Sequence, residues 1–117
     1  MLQWLMMWYR NTSLKGFFIM KIELTDRALK WFKEDYGVRE DEYVKFFPQI
    51  YGTSPVQKNF ALAFLKVDHP IGDATVIEHG QVRFFVEHDD LWFFDGHDLS
   101  IDYLDDQDEV IFEYHKA

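Results

Sequence analysis

The chain has 117 residues, of which 48% are hydrophobic and 19% are aromatic. This length supports one hydrophobic core, and the high apolar content excludes intrinsic disorder as the default state. The formal net charge of −9 argues against nucleic acids and membranes as partners, because phosphate backbones and anionic lipid surfaces repel an acidic protein.

The acidic residues concentrate toward the C-terminus. The stretch from Asp89 to Glu113 holds ten Asp or Glu residues and no Lys or Arg. A solvated acidic surface explains this pattern, and so does a docking surface for a basic protein partner. The chain has no cysteine, which excludes disulfides, thiolate metal ligands and a cysteine nucleophile and fits a cytoplasmic protein.

Residues 1–19 differ from the rest because they contain two basic residues and no acidic ones. Their apolar run is too short to span a bilayer and lacks the features of a signal peptide. Lys15-Gly16 can be encoded by a purine-rich sequence of ribosome-binding type shortly before Met20. We therefore predict that 1–19 are a non-native leader or extension and that 20–117 form the single domain. An amphipathic anchor or partner-binding arm is the alternative.

The first elements after Met20 are predicted to be a short strand at Lys21–Leu24 and a helix of about Asp26–Tyr36. Thr25 is the expected N-cap and Gly37 the expected helix terminator. Apolar residues recur at helical spacing and predict one buried face; they are Ala28, Leu29, Trp31, Phe32 and Tyr36.

Strands dominate the remainder. They are predicted at Tyr43–Phe47, Asn59–Val67, Thr75–Glu78, Gln81–Glu87, Leu99–Tyr103 and Val110–Tyr114. We expect the first to end at Pro48 and a loop to cover Pro48–Lys58. The apolar character of Asn59–Val67 predicts burial on both faces, and His79-Gly80 predicts a hairpin turn. Alternation in Gln81–Glu87 predicts one core face and one mixed face.

Three segments resemble the HesB/IscA-like family of A-type iron–sulfur carriers: Ile22–Lys33 (IELTDRALKWFK), Phe60–Glu87 (FALAFLKVDHPIGDATVIEHGQVRFFVE) and Leu91–Tyr103. In the last, Asp95-Gly96 and Ile101-Asp102-Tyr103 look like the family's "LDG…IDY" segment. The resemblance covers nearly all of Met20–Tyr114. It implies a mainly β (α+β) fold, a β-sandwich or pseudo-barrel of two small mixed or antiparallel sheets with one N-terminal α-helix.

The family's cysteines have no counterpart here. Carriers of this family hold iron or a cluster through a cysteine in the loop after the strand that matches Tyr43–Phe47 and through a C-terminal Cys-Gly-Cys pair. The corresponding loop contains Tyr51, Gly52, Thr53 and Ser54. The resemblance therefore implies a cysteine-less branch, similar to small uncharacterised HesB-like proteins of Gram-positive bacteria, that cannot ligate a cluster through cysteine. Tyr51 and Gly52 are instead candidates to line a small-molecule or peptide site.

A group of imidazoles and carboxylates forms a second candidate site. It comprises His88, Asp89, Asp90, Asp95, His97 and Asp98. Imidazole and carboxylate ligands suit a divalent metal, and we predict His88, His97, Asp95 and Asp98 as the ligands. Their spacing matches no metal signature, and turn residues that bond local amides explain the same pattern.

No motif in the sequence supports catalysis. Ser54 lacks the G-x-S-x-G context of a nucleophile, and there is no glycine loop for phosphates. A hydrolase or isomerase would need Asp95, Asp98 and Asp102 to converge in a cleft. Trp92, Phe93 and Phe94 form a self-association patch if they are not core.

We therefore predict a non-enzymatic, cytoplasmic HesB/IscA-like module that has an accessory or binding role related to iron–sulfur cluster biogenesis. The alternative is a cysteine-free protein that binds a divalent metal; no other cofactor is predicted. The expected partner is a protein that docks on the acidic surface, and the oligomeric state stays open.

Overall fold

Two mixed β-sheets make up most of the structure. The computed structural model describes residues 20–116, so the predicted leader at 1–19 lies outside the described residues. In chain order the elements are β1 (Ile22–Leu24), α1 (Asp26–Glu34), β2 (Tyr43–Ile50), β3 (Phe60–Val67), β4 (Ala74–His79), β5 (Val82–Glu87), a 3-10 helix (His88–Phe94), β6 (His97–Leu104) and β7 (Glu109–Lys116). Within these residues no helix has the length and apolar character needed to cross a membrane. The predicted mainly β fold is confirmed.

The caps of α1 match the sequence prediction. Thr25 has an extended backbone, and its hydroxyl accepts a hydrogen bond from the N–H of Ala28 at 3.2 Å, which satisfies a donor of the first turn. The helix ends at Glu34 instead of extending to Tyr36. Gly37 then adopts φ +84°, and the N–H of Val38 donates to the carbonyl of Phe32 at 2.9 Å. The left-handed glycine closes the helix as expected.

The strands form a three-stranded sheet of order β1-β6-β7 and a four-stranded sheet of order β3-β2-β5-β4. β1 runs parallel to β6, and β2 runs parallel to β5, while the remaining neighbours are antiparallel. Each sheet is therefore mixed. β3 and β4 are the edges of the four-stranded sheet, and β1 and β7 are the edges of the three-stranded sheet.

Pro48 does not end β2, so that prediction was wrong. The strand continues to Ile50 and pairs with β3 along its whole length. β5, by contrast, pairs only with Tyr43–Phe46. Pro48 therefore lies in the part of β2 that has a single neighbour, where a missing backbone N–H removes no ladder bond on the open side.

The prediction that the third strand is buried on both faces was also wrong. β3 is an edge strand, and every one of its residues retains partial exposure. Leu65 is 51% exposed. The apolar residues that indicated a central strand therefore lie on a partly exposed edge strand.

The predicted hairpin forms between β4 and β5, but its turn is centred on Gly80-Gln81 instead of His79-Gly80. Both turn residues have positive φ, 58° for Gly80 and 68° for Gln81. Two left-handed residues in succession give the turn geometry that matches the right-handed twist of paired strands.

β5 is more buried than its alternation predicted, because it is a central strand covered on both faces. Phe85 is fully buried, and Glu87 is only 8% exposed. The Glu87 carboxylate accepts hydrogen bonds from the N–H groups of Ile71 and Gly72 at 3.0 and 3.1 Å. The Ile71 bond does most to lower the pKa of Glu87, so a charged residue is accommodated on the face that was expected to be mixed.

Aromatic side chains from both sheets meet in one core. The ring of Phe46 on β2 lies 5.9 Å from that of Phe112 on β7. Phe32 of α1 lies 5.3 Å from Phe84 of β5. The core therefore joins the helix to both sheets.

Candidate functional site

The structure gives three of the predicted metal ligands hydrogen-bond partners within the fold. The Nδ1 atom of His97 lies 2.9 Å from the Phe94 carbonyl oxygen, and Asp98 accepts a bond from the N–H of Lys21 at 2.8 Å. The Nε2 atom of His88 lies 3.4 Å from the Thr75 hydroxyl. Across residues 20–116, no three imidazole or carboxylate side chains are grouped so that they could hold a metal ion. The metal site stays a prediction.

The 3-10 helix presents Trp92 at the surface beside acidic side chains. Side chains three residues apart eclipse one another in a 3-10 helix, so Asp89 and Trp92, which are both exposed, share one face. Asp95 follows as the C-cap with φ +49°, and its N–H donates to the Trp92 carbonyl at 3.3 Å. Asp95, the fourth predicted metal ligand, therefore ends this helix and is exposed.

Burial separates the three aromatics of this helix. Phe93 and Phe94 are 0% exposed and belong to the core, whereas Trp92 is 49% exposed. The predicted aromatic patch is therefore reduced to Trp92, which two buried neighbours hold at the surface.

On the same helix, burial raises the pKa of Asp90 above its usual range.

The loop at 51–59 is folded on itself and tied to the 3-10 helix. The N–H of Ser54 donates to the Gln57 carbonyl at 3.1 Å, and the N–H of Gln57 donates to the Ser54 hydroxyl oxygen at 3.0 Å. The side-chain amide of Gln57 then donates to the Trp92 carbonyl at 3.3 Å. Ser54 therefore has a structural role, and with Thr53 it lines a surface depression of about 290 Å³ beside β7.

An apolar surface connects the loop to the 3-10 helix. We call it the Trp92 face, and it consists of Ile50, Tyr51, Phe60 and Trp92. Ile50 and Phe60 lie directly opposite each other on β2 and β3, so their side chains project from the same face of the sheet. The ring of Phe60 lies 5.1 Å from the Trp92 indole. Ile50 is 59% exposed and Tyr51 is 94% exposed, so the face is open to a partner.

Tyr51 occupies a backbone conformation that tyrosine rarely adopts. Its φ is +72°, in the left-handed region where a bulky side chain is an outlier. Such strain persists only where the surroundings hold it, and it clusters at functional sites. The neighbouring Gly52 packs closely, because a Cβ atom at this position would lie 2.5 Å from the Cβ of Ala61. The loop therefore lies directly against β3.

The loop that contains the predicted site is thus hydrogen-bonded to the helix that carries the exposed tryptophan, a link that the sequence did not show. Phe60 and Gln57 were missed, because the first was assigned to the core of a buried strand and the second to an ordinary loop. The signal that could have identified Phe60 is the pairing of the two strands that flank the loop. This pairing places the residue before the loop opposite the residue after it.

A separate polar cluster fastens α1 to β6. Asp102 accepts hydrogen bonds from the Thr25 hydroxyl at 2.7 Å and from two nitrogens of Arg27 at 2.7 and 2.8 Å. The Arg27 bond does most to hold the pKa of Asp102 well below its usual range. Nearby, the hydroxyl of Tyr103 donates to Asp108 at 2.6 Å, and this bond raises the pKa of Tyr103 to about 12. Asp102, which the sequence offered for acid–base chemistry, is engaged in structural bonds.

Replacing Asp102 with asparagine should lower the free energy of unfolding at neutral pH by about 1–2 kcal/mol, because it removes hydrogen bonds to a charged group. The expected loss is at the low end of the range for such bonds, because Arg27 is partly exposed and solvent weakens the interaction. A folded-state pKa below the unfolded value stabilises the protein above about pH 4, and this contribution is lost as the pH falls further. The difference between the two proteins should therefore shrink in acid. Urea unfolding at pH 7 and pH 3 measures it, and an equal difference at both values would contradict the charged hydrogen bond.

The chain is similar over most of its length to curated bacterial proteins. A Bacillus subtilis protein named pyruvate dehydrogenase inhibitor is 40% identical over 95 residues, which cover 81% of this chain and 99% of that protein. An uncharacterised protein of Staphylococcus saprophyticus is 34% identical over 78% of this chain and 95% of its own length. An uncharacterised Staphylococcus aureus protein is 32% identical with the same coverage. The chain matches no protein-family model.

Among solved structures, Escherichia coli SufA, which is involved in the biosynthesis of iron–sulfur clusters, has a similar fold. The TM-score is 0.58 at 20% identity, and the match covers 82% of this chain and 80% of SufA. The likeness supports the HesB/IscA-like fold that the sequence resemblance implied. At this identity it shows the fold alone, because one fold hosts many functions.

Proposed function

Because the chain belongs to the family of the Bacillus subtilis pyruvate dehydrogenase inhibitor, we propose that it is a non-enzymatic binding module that inhibits pyruvate dehydrogenase through direct protein contact. The observation that carries the proposal is 40% identity over 99% of the length of that relative. The aligned residues span nearly the whole relative, so they cover the positions of whatever surface that protein uses.

The chemistry of the chain supports contact as the means of inhibition. A carrier fold that lacks cysteine has no thiolate with which to transfer a cluster or attack a substrate. Asp98 and Asp102 are engaged in structural hydrogen bonds, so they are not available as an acid–base pair. In this proposal the two sheets form the sandwich or pseudo-barrel of the carriers and serve as a scaffold for an exposed surface. The protein acts in the cytosol, with its target.

An accessory role near iron–sulfur cluster biogenesis is the second candidate, favoured by the SufA-like fold. A divalent metal bound by His88 and His97 is the third. Metal and acid-labile sulfide content, measured on untagged protein purified without oxygen, separates both from the first. Stoichiometric metal that disappears after His88→Ala and His97→Ala would favour the metal-binding role, and stoichiometric sulfide would favour the cluster-related role.

Purified chain added to the pyruvate dehydrogenase complex of its own host should lower the rate of NADH formation in a saturable way. The effect should be unchanged by a metal chelator, since contact and not a bound ion causes it. The 2-oxoglutarate dehydrogenase complex, assayed in parallel, controls for general effects on related complexes. An unchanged rate at a large molar excess of the chain would rule out the proposed function.

A further inference from the structure

We propose that the Trp92 face docks a basic segment of a partner protein, with an arginine or lysine side chain lying on the indole of Trp92 beside Asp89 and Asp95. The inference rests on the proposed function, because it names the surface and the partner chemistry through which the chain would reach its target. It follows from the apolar character of the face and from the charges around it.

The apolar part provides anchoring contacts. Trp92 and Tyr51 belong to the residue types that carry most of the binding energy in protein interfaces. The fold positions the backbone of both before any partner arrives, since Trp92 lies next to buried residues and Gly52, which follows Tyr51, lies close to Ala61. A face that is already ordered loses little conformational entropy on binding.

The charges decide what kind of partner fits. Asp89 and Asp95 lie three residues before and after Trp92, and both are exposed. The sequence around Trp92 contains no basic residue, because no Lys or Arg occurs from 89 to 113. Loop 51–59 contributes one basic residue, Lys58. On this helix and in loop 51–59, acidic residues therefore outnumber basic ones, and Lys45 of β2, which acts on Asp90, is paired with Glu87 at 3.9 Å.

An indole beside carboxylates suits a cationic side chain and disfavours an anionic one. Tryptophan is the best aromatic partner for a cation above its ring. A guanidinium can stack on the ring while its N–H groups donate to a carboxylate at the edge, whereas a glutamate at this position would be repelled. The occupant we infer is therefore a basic and apolar segment of the partner protein.

Inhibition of the pyruvate dehydrogenase complex by variants tests the surface. Trp92→Ala should weaken inhibition by about tenfold or more, as expected for a central aromatic anchor. Asp89→Lys should weaken it by a smaller factor and reduce its sensitivity to salt, because attraction between opposite charges is screened by ions.

Matched variants at other exposed positions serve as controls. Ile71→Ala removes an apolar side chain that is 88% exposed on another loop, and Asp106→Lys reverses a charge at the exposed turn between β6 and β7. Both should inhibit as well as the wild-type chain. If Trp92→Ala inhibits normally while the wild-type chain is active, the docking proposal is wrong and the proposed function stands.

A second measurement does not depend on the target. In proton–nitrogen NMR spectra of the full chain, the indole signal of Trp92 is assigned by its loss in Trp92→Ala. A peptide that alternates arginine with leucine should shift this signal, and a peptide that alternates glutamate with leucine should not. No shift with the arginine peptide would overturn the proposal even if the chain inhibits the complex. A shift that depends on protein concentration alone would assign the face to a second copy and overturn it as well.

Discussion

Replacing Phe32 with alanine should lower the free energy of unfolding by about 3–5 kcal/mol, the range for removing a large aromatic side chain from a packed core. Phe32 is fully buried on α1. Its ring lies 5.2–6.3 Å from rings on three strands of the four-stranded sheet, β2, β3 and β5; these are Phe46, Phe64 and Phe84. No single neighbour can fill the cavity, because the contacts come from three different strands. Urea denaturation followed by circular dichroism measures the loss.

Phe47→Ala is the matched control. Phe47 lies on β2 next to Phe46, but it points to the opposite face of the strand and remains partly exposed. Its removal should therefore cost less than half as much as that of Phe32. Equal costs would show that the core does not lie between α1 and the inner face of the four-stranded sheet. A domain of this size has only about 5–15 kcal/mol of total stability. Phe32→Ala therefore also serves as a reference for substitutions that reduce activity by unfolding the domain.

Local chemistry made most of the fold predictable. Thr25 and Gly37 mark the ends of α1 by hydrogen bonding and by left-handed backbone geometry, which depend on neighbouring residues alone. Along the predicted strand Leu99–Tyr103 apolar residues alternate with polar ones, and the apolar residues Leu99, Ile101 and Tyr103 are the buried side of β6. These features need no knowledge of distant contacts, because the side-chain period of a strand and the caps of a helix are local properties.

The errors arose where the position of a strand in its sheet decides the outcome. β3 has the composition of a central strand but lies at an edge, and Pro48 is accommodated because β5 pairs with only part of β2. Strand order depends on long-range pairing, which apolar composition does not encode. The same limit applies to the site, since the contact between Phe60 and Trp92 joins residues far apart in the chain.

The loss of cysteine and the exposure of Tyr51 concern the same loop. In the carrier family that the sequence resembles, this loop supplies a cluster ligand. Here the corresponding segment displays a strained tyrosine that is 94% exposed, and its end is fastened to the helix that carries Trp92. A loop position that presents one reactive side chain in the carriers is also suited to presenting a contact residue. Under the proposed function, a fold similar to that of SufA therefore serves recognition by contact.

Replacing Gly52 with alanine should weaken inhibition of pyruvate dehydrogenase by about tenfold and lower the free energy of unfolding by about 1–3 kcal/mol, a typical cost of overpacking. The added methyl group would lie 2.5 Å from the Cβ of Ala61 and 3.3 Å from its backbone nitrogen. Neither atom can rotate away, so the loop must move off β3 and carry Tyr51 with it. Gly72→Ala is the control, because the nearest atom to its added Cβ is 3.7 Å away, an ordinary contact distance.

The compensating change Ala61→Gly distinguishes a displaced loop from a general loss of stability. If the clash between two Cβ atoms is the cause, the double variant Gly52→Ala with Ala61→Gly should regain most of the inhibition. It should do so although glycine within a strand costs about 0.5–1 kcal/mol. Recovery of inhibition without full recovery of stability would show that the position of the loop, and not the stability of the domain, determines binding. If the double variant inhibits no better than Gly52→Ala alone, the packing of the loop against β3 does not position the Trp92 face.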